Sequence, residues 1–384
     1  GDCVDPTPTL PPLVEPGPAL TREETHRYAR HLLIPSIGEV GQRRLRAAHV
    51  AVMGAGGLGS PALLYLAAAG VGKLTIIDDD VVDVTNLHRQ VIHPDAAVGT
   101  PKVDSAAAAV KALNPTVEVV THGVRLVPGN AAELFAGADL VLDGTDNFET
   151  RYAVNDACAE LGLPYVWASV YRTQAQVAVF WAAPPGGVPG VDLRDLFPHP
   201  PAPGSVPSCG DAGVLGALTG QVGSMMAAEA IKLICGVGSP LLGRVAFLDL
   251  LDATVTPIPL RPGTRPPAPA APTPEEGPVF ASVTPTELAA ELASENPPIV
   301  LDVREPSEIP FGAIDGSVRI PLQQFLDNVP TFEPDADVVI HCKLGPRAER
   351  AAAALAASGH TKIRLLEGGI LAWGRDVDPT VTPY

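Results

Sequence analysis

The sequence predicts an α/β protein with two domains. Its 384 residues exceed what one hydrophobic core usually serves. Strand-like apolar runs alternate with alanine-rich helical stretches, the pattern of a mostly parallel sheet covered by helices. A proline-rich break then separates a long first pattern from a shorter second one. We therefore expect a disordered Pro-rich tail at residues 1–20, a first domain at 21–260, a linker at 261–277 and a second domain at 278–384.

Composition and charge exclude several classes of protein. The net charge of -17, with no basic stripe, argues against a nucleic-acid partner. No uncharged stretch of about eighteen residues is free of Gly and Pro, so no membrane span is expected. The first twenty residues lack the basic start and apolar core of a secretory signal, which favours a cytoplasmic protein. The 5 cysteines form no CxxC pair and are expected to be free thiols.

The first domain opens with a helix in TREETHRYARHLLI, where Thr21 and Glu24 have the spacing of a capping box. Apolar strand-like runs follow it in the order HVAVMG, KLTIID, VEVVT, LVLDGT, YVWASV and QVAVFW. The earlier runs are separated by helical stretches, so the sequence predicts a parallel sheet.

The turn after the first strand carries Gly54, Gly56 and Gly59 in the GxGxxG spacing, which predicts a Rossmann-like nucleotide site. Glycines let the backbone turn tightly and approach a phosphate at a helix N-terminus. Asp78 ends the next strand, where it could bind ribose hydroxyls. This pattern alone would serve NAD, FAD or ATP, and a glycine-rich turn without a ligand is the alternative.

The segment after Asp78 favours a polyphosphate ligand. It contains Asp80, Asn86, Arg89, Gln90 and Lys102. Hydride transfer needs few extra cations, whereas attack on an α-phosphate needs cations on the polyphosphate and on the departing pyrophosphate. Arg89 and Lys102 suit that second task. Each residue taken alone could also be a surface charge or a loop cap.

A second acidic position follows a later strand, in VLDGTDNFETR. Asp146 and Asn147 lie where the ligand-binding edge of such a sheet is expected. Asp146 could hold Mg²⁺ that is bound to the nucleotide.

These motifs resemble the MoeB/ThiF-type adenylyltransferases that activate ubiquitin-like sulfur carriers, within the ubiquitin-activating-enzyme superfamily. The similarity runs from about Thr21 to Leu260 and includes GAGGLGS, DDDVVDVTNLHRQ, GTPKVDSA, LDGTDNFETR and PSCGDAGVLG. It implies that ATP and Mg²⁺ adenylate the C-terminal glycine of a small carrier with a diglycine end.

The resemblance also implies site residues and an assembly. Gly57, Asp78, Asn86, Arg89, Lys102, Asp146 and Asn147 would surround ATP. Arg30 would reach into the neighbouring subunit's nucleotide site, which implies a homodimer. Many relatives hold a structural zinc with two CxxC pairs, and this sequence has no such pair, so no structural zinc is predicted.

The cysteines differ in their surroundings. Cys209 lies in a Pro/Gly loop ahead of a helix, where a thiol would be accessible and have a lowered pKa. The resemblance implies that it attacks the acyl-adenylate or resolves an acyl-persulfide, and a loop cysteine without a role is the alternative. Cys158 and Cys235 lie in apolar helical patterns and are expected in the core. Cys3 lies in the tail.

Cys342, in CKLGPRA, follows a strand-forming run and precedes an alanine-rich helix. Residues 343–347 offer amides that could curl around a thiolate or the terminal sulfur of a persulfide. Arg347 would add a full positive charge, whereas Pro346 removes one donor. A buried strand-end cysteine is the alternative.

The stretch from about Pro278 to Tyr384 resembles a rhodanese domain through IVLDVREPSE, the CxxGxR loop and LLEGGILAW. The resemblance implies that Cys342 accepts sulfur from a cysteine desulfurase or thiosulfate and passes it on. Asp302, Arg304 and Trp373 are expected to be structural, and a position of Arg304 at the border of the site is the alternative. The combined arrangement is similar to the rhodanese-fused, MoeZ-like members of the family.

The sequence therefore predicts an adenylyltransferase and sulfurtransferase that converts a carrier C-terminus into a thiocarboxylate. Two alternatives remain at this point, a nicotinamide-dependent oxidoreductase with an accessory thiol domain and a non-catalytic carrier-binding scaffold. The pathway is also open, because molybdopterin biosynthesis, thiamine, cysteine and tRNA thiolation all need the same activation.

Overall fold

The computed structural model describes residues 10–201, 213–263, 279–333 and 335–384. The first two ranges, except Pro201, belong to one compact unit, and the last two belong to a second. Cys3, Cys209 and most of the predicted linker lie outside the described residues. The domain boundaries drawn from the sequence stay predictions.

The first unit contains a mixed sheet of eight strands. They are β1 (His49–Met53), β2 (Lys73–Ile77), β3 (Glu118–His122), β4 (Leu140–Asp143), β5 (Tyr165–Tyr171), β6 (Gln174–Phe180), β7 (Arg244–Asp249) and β8 (Thr254–Pro259). The order is β3-β2-β1-β4-β5-β6-β7-β8. β1 to β5 are parallel, and β6 to β8 are added antiparallel. This confirms the predicted α/β class with a mostly parallel sheet.

The strand order creates a crevice at the centre of this sheet. The chain passes from β1 outward to β2 and β3, then crosses to β4 on the other side of β1. Open α/β sheets bind ligands outside the carboxyl ends of the strands where the winding reverses in this way. The predicted nucleotide site should therefore lie beyond the ends of β1 and β4.

Helices cover both faces of the sheet. In the first unit they are α1 (Arg22–Arg27), α2 (Ala29–Leu32), α3 (Gly38–Ala47), α4 (Gly59–Ala68), α5 (Lys102–Leu113), α6 (Ala131–Phe135), α7 (Phe148–Leu161), α8 (Leu193–Leu196) and α9 (Gly216–Cys235). Alternate residues of β1 supply the two faces: Val50 and Val52 join one hydrophobic cluster, whereas Ala51 and Met53 join the other. The predicted capping box at Thr21 is present, with its hydroxyl accepting from the Glu24 amide at 3.1 Å.

Residues 10–20 differ from the predicted disorder. The Leu13 amide donates to the Leu233 carbonyl at 3.0 Å, and Val14 is buried in the core cluster. Arg43 and Arg44 of α3 donate to the carbonyls of Gly17 and Val14. Proline lacks an amide donor but keeps its carbonyl and a fixed φ, so arginine donors on a neighbouring helix can hold such a segment.

The second unit is a smaller parallel sheet with helices. Its strands are β9 (Ala281–Val283), β10 (Ile299–Asp302), β11 (Val318–Arg319), β12 (Val338–His341) and β13 (Ile363–Leu366), in the order β11-β10-β12-β13-β9. Its α-helices are α10 (Pro285–Leu292), α11 (Leu322–Asp327), α12 (Pro346–Ala357) and α13 (Gly369–Asp376). The strand DVVIHC and the helix after it are therefore present, as predicted.

Alternate residues of β12 again pack on opposite faces of this second sheet. Among the described residues of the whole chain, no helix is long and apolar enough to cross a membrane.

Candidate active sites

The glycine-rich turn brings the ends of β1 and β4 together. Gly54 has φ +91°, and a Cβ at this position would lie 3.2 Å from the Gly144 carbonyl oxygen after β4. A Cβ on Gly59 would lie 1.8 Å from the Gly54 carbonyl oxygen. The first glycine therefore permits the turn, and Gly59 permits α4 to pack on it, which are the roles that the GxGxxG spacing predicts.

A cavity of about 350 Å³ opens beyond this turn. Most of the predicted nucleotide-site residues line it: Gly54, Gly56, Gly57, Asp78, Arg89, Lys102, Asp146 and Asn147. They come from the ends of β1, β2 and β4, from the connection before α5 and from the first residue of α5. Residues far apart in the sequence thus converge at the point where the sheet reverses its winding.

Three predicted residues do not line the cavity. Gly59 lies behind the turn as described. Asn86 ends a 3₁₀ turn, where its Oδ1 accepts from the Asp83 amide at 3.0 Å. Arg30 is exposed on α2, so its predicted role requires a second subunit.

Asp78 is engaged by the protein on both oxygens. Oδ2 accepts from the Ala55 amide and Oδ1 from the Asp80 amide, each at 2.8 Å. Burial raises the pKa of this carboxyl, although Lys102 and the two amides oppose that rise. Asp78 therefore fixes the glycine-rich turn while it faces the cavity.

The cations have different surroundings. Lys102 is buried, and its Nζ donates to Asp80 Oδ2 at 2.9 Å. Arg89 is half-buried and donates to the Thr85 carbonyl at 3.0 Å. Both side chains line the cavity, so both can face a polyphosphate.

Asp146, the residue predicted to hold Mg²⁺, lines the same cavity. It is exposed at the cavity, and within the described part of the chain its carboxylate accepts no hydrogen bond. Asn147 Oδ1 caps α7 by accepting from the Thr150 amide at 2.9 Å. A free carboxylate oxygen at a cavity lined by cations fits a hard metal ion bound with a nucleotide.

Several cavity residues were not predicted as ligands from the sequence. Gln90 is buried, and its Oε1 has no hydrogen-bond partner in the described structure. Arg125 also lines the cavity, as does Arg151, which lies one turn into α7 and between the rings of Phe148 and Trp167. Arg151 could have been recognised from its place shortly after Asp146, but its burial could not.

The second site surrounds Cys342, which follows β12. Its Sγ accepts a hydrogen bond from the Gly345 amide at 3.1 Å. Gly345 has φ +152°, which lets this amide turn back toward the sulfur. Only 1% of Cys342 is exposed. The thiol is thus buried, which was the alternative interpretation of the sequence. It also has the amide contact that is expected for an anionic sulfur.

Close packing holds the start of this loop. The Ile370 amide donates to the Cys342 carbonyl at 2.9 Å. A Cβ on Gly369 would lie 2.6 Å from the same carbonyl oxygen and 2.5 Å from that of Lys343. The second glycine of LLEGG, Gly369, is therefore explained by its contact with the cysteine loop.

The charge of Arg347 is compensated, which the sequence alone did not predict. Its two terminal nitrogens donate to Glu308 at 2.6 and 2.8 Å. Burial opposes ionisation of Glu308, but the hydrogen bonds and charge of Arg347 outweigh it and lower the pKa of this carboxyl. Arg347 and Glu308 together therefore add no net charge beside the cysteine loop.

Cys158 and Cys235, and the residues Asp302 and Arg304 of the second unit, are buried as expected. Cys158 and Cys235 are buried in the core, and burial raises the pKa of both thiols. Arg304 and Asp302 form a fully buried ion pair at 2.8 Å. The predicted roles of Cys209 concern a residue outside the described part of the chain.

Comparisons with known proteins agree with this division. Residues 28–267 match the ThiF family, and residues 284–376 match the rhodanese-like domain.

Full-length relatives combine the two domains. The chain is 46% identical over 390 residues to the probable adenylyltransferase/sulfurtransferase MoeZ of Mycobacterium tuberculosis, covering 98% of this chain and 99% of that protein. It is 37% identical to the adenylyltransferase and sulfurtransferase MOCS3-1 of Zea mays, covering 96% and 85%. A sulfur carrier protein adenylyltransferase of Thermus thermophilus is 48% identical over 245 residues, covering 64% and 90%.

Solved structures share the fold of the first unit. Crystal structures of PaaA and of E. coli MccB with ATP have TM-scores of 0.54 and 0.53, with 24% and 20% identity. They cover 63% and 64% of this chain, and each match spans 75% of the other chain. The family match, the full-length relatives and the two sites together establish that the chain belongs to the ThiF family, among its rhodanese-fused enzymes that combine adenylyltransferase and sulfurtransferase activity.

Proposed function

We propose that the first unit uses ATP and Mg²⁺ to adenylate the C-terminal glycine of a ubiquitin-like sulfur carrier, and that Cys342 then supplies sulfur to give the carrier thiocarboxylate. The main observation is that Arg89, Lys102, Asp146 and the glycine-rich turn converge on one cavity. The names of the relatives, which include a sulfur carrier adenylyltransferase and a SAMP-activating enzyme of Haloferax volcanii, support the class of carrier.

Adenylation at this cavity is mainly a matter of position and charge. The carrier carboxylate is already ionised, so it needs no general base. Its oxygen attacks the α-phosphorus, and the bond from that phosphorus to pyrophosphate breaks. Arg89 and Lys102 would neutralise the charge that grows on the departing pyrophosphate. Mg²⁺, when held by Asp146, would supply further neutralisation of the phosphates.

Sulfur transfer then requires two bond exchanges. The terminal sulfur of a Cys342 persulfide attacks the acyl carbon, and AMP leaves. A second thiolate, for which Cys209 is the candidate, attacks Cys342 Sγ and releases the carrier thiocarboxylate. The resulting disulfide must be reduced before the next turnover by an external dithiol, which is itself oxidised to a disulfide. Hydrogen bonding from the Gly345 amide favours negative charge on sulfur at this position.

The assembly and the donor are also part of this proposal. Arg30 is exposed and would serve the site of a second subunit in a homodimer. Sulfur would reach Cys342 from a cysteine desulfurase or thiosulfate. Nicotinamide chemistry is disfavoured because adenylyltransferase relatives cover nearly the whole chain. A scaffold role is disfavoured because those relatives are named as enzymes of both kinds.

Mass spectrometry of a candidate carrier with a diglycine end tests the two steps separately. With the protein, ATP, Mg²⁺ and a sulfur donor, we expect a carrier adenylate and then a carrier heavier by about 16 Da, as one oxygen is replaced by sulfur. Arg89→Gln should reduce adenylate formation by about 10²- to 10³-fold, the usual cost of losing one charge-stabilising donor.

Cys342→Ser is the matched variant for the second step. It should form adenylate at the wild-type rate but no thiocarboxylate, because the serine hydroxyl cannot carry sulfane sulfur. Thiocarboxylate formed by Cys342→Ser at the wild-type rate would exclude Cys342 as the donor. Absence of adenylate with every diglycine carrier tested would contradict the first step.

A further inference from the structure

Tyr384 contacts Lys343 at one end of the Cys342 loop and Glu308, which pairs with Arg347, at the other end. Its hydroxyl donates to Glu308 Oε1 at 2.7 Å and accepts from Arg304 Nη1 at 3.1 Å. Glu308 in turn holds Arg347 in its bidentate ion pair. The phenol is thus connected, through one carboxylate, to the residue where the loop enters α12.

The ring of Tyr384 contacts the other end of the loop. Its centre lies 4.6 Å from Nζ of Lys343, the residue directly after Cys342. It stacks on Phe311 with the ring centres 4.5 Å apart and an angle of 19° between the planes. A cation within about 6 Å of an aromatic centre is attracted to the ring. One side chain therefore restrains Lys343 directly and Arg347 indirectly.

We propose that Tyr384 is a positioning residue for sulfur transfer, which holds the 343–347 loop so that the Gly345 amide points at Cys342 Sγ. The loop contains a glycine at φ +152°, a conformation that an unrestrained chain visits among many others. Contacts at both ends reduce that freedom. This inference rests on the sulfurtransferase half of the proposed function and adds a residue that touches neither the sulfur nor the carrier.

Two substitutions separate the parts of the contact. Tyr384→Phe keeps the ring against Lys343 and Phe311 but removes the hydroxyl that binds Glu308 and Arg304. Tyr384→Ala removes both. Tyr65→Phe is the matched control, because Tyr65 is 59% exposed on α4 in the other unit.

The assay follows transfer of sulfane sulfur from thiosulfate to cyanide by the full-length protein. The thiosulfate sulfur–sulfur bond breaks, sulfite leaves, Cys342 carries the sulfur, and cyanide removes it as thiocyanate. We expect kcat to fall about 5-fold in Tyr384→Phe and about 30-fold in Tyr384→Ala, with KM for thiosulfate within about 2-fold of wild type. ATP–pyrophosphate exchange with a carrier should stay unchanged in both variants.

A purely structural role gives a different result. If Tyr384 only stabilised the fold, the variants would melt at lower temperature but keep wild-type kcat well below that temperature. In the Lys343→Met background, Tyr384→Ala should cost less than in the wild type, since one of its contacts is already gone. Equal losses in the two backgrounds, or wild-type kcat in Tyr384→Ala, would overturn the inference.

Hydrogen exchange measured by mass spectrometry tests the restraint without enzyme turnover. A peptide covering residues 342–347 should exchange at least about 10-fold faster in Tyr384→Ala, while peptides from β10 and β12 keep their wild-type rates. Unchanged exchange in this peptide would overturn the inference even if the wild-type protein transferred no sulfur from thiosulfate. If Cys342→Ser lost sulfur transfer while Tyr384→Ala kept the wild-type kcat, the proposed function would stand and the role of Tyr384 would be overturned.

Discussion

His341, directly before the reactive cysteine, is fully buried beside an ion pair. Its Nε2 lies 3.7 Å from Asp302 Oδ2 and has no hydrogen-bond partner in the described structure. Burial lowers the pKa of His341 more than Asp302 raises it. The ring is therefore neutral in the folded protein near neutral pH, where an exposed histidine would begin to take up a proton as the pH falls.

This single residue predicts a pH-dependent stability of the second unit. Below about pH 6.5, the ordinary histidine value, the unfolded chain binds a proton at His341 that the folded unit does not. Stability should therefore fall with decreasing pH, by up to about 1.4 kcal/mol per pH unit. Calorimetry of the full chain between pH 7.5 and 5.5 measures this loss of stability of the second unit.

His341→Gln should remove that slope, whereas His360→Gln should keep it. The second unit contains no other histidines. An unchanged slope in His341→Gln would show that another group binds the proton.

The residue scale also shows what the sequence could not predict. Arg347 was recognisable from the CxxGxR spacing, but its partner Glu308 lies far away in the chain. Only the packing of the 3₁₀ turn Pro306–Phe311 against the loop brings the two together. A sequence pattern identifies a charge, and the fold decides whether that charge is compensated.

At the scale of elements, the turn between β1 and α4 is the most tightly constrained part of the nucleotide site. We expect Gly59→Ala to prevent this turn, because its Cβ would lie 1.8 Å from a backbone oxygen. The variant should lose adenylation and unfold the first unit at lower urea concentration than wild type.

Gly220→Ala is the matched control for that variant. Gly220 lies within α9, and a Cβ there would meet nothing within 4 Å. Alanine should stabilise this helix by up to about 1 kcal/mol. Wild-type adenylation by Gly59→Ala would contradict the proposed tightness of the turn.

Elements with a strong periodic pattern were predictable, and those held by distant contacts were not. The six strands from β1 to β6 follow apolar runs that the sequence shows directly. β8 was not predicted, because its residues are all exposed and contain two prolines. Residues 10–20 were expected to be disordered because their arginine partners on α3 could not be known from composition.

At the scale of the whole molecule, each unit has its own pair of hydrophobic clusters. No residue of the first two clusters belongs to the second unit, and none of the other two belongs to the first. A domain with its own core can in principle fold alone. The proposed adenylation and sulfur transfer would then be carried out by two units of one chain that each have their own core.

We expect a fragment of residues 279–384 to fold alone and to transfer sulfur from thiosulfate to cyanide. Circular dichroism should show one cooperative thermal transition, and the same fragment with Cys342→Ser should melt alike but be inactive. A fragment that remains unfolded would show that the second unit needs the rest of the chain.

The burial of Cys342 sets a steric condition on any molecule that is to meet its sulfur. With 1% of the residue exposed, the thiol offers almost no surface to an approaching molecule in this conformation. Two glycines form the thinnest peptide end that a protein can present, since neither carries a β-carbon. In the proposed transfer, a diglycine tail would therefore need less displacement of the surrounding side chains to reach this sulfur than a peptide end with side chains.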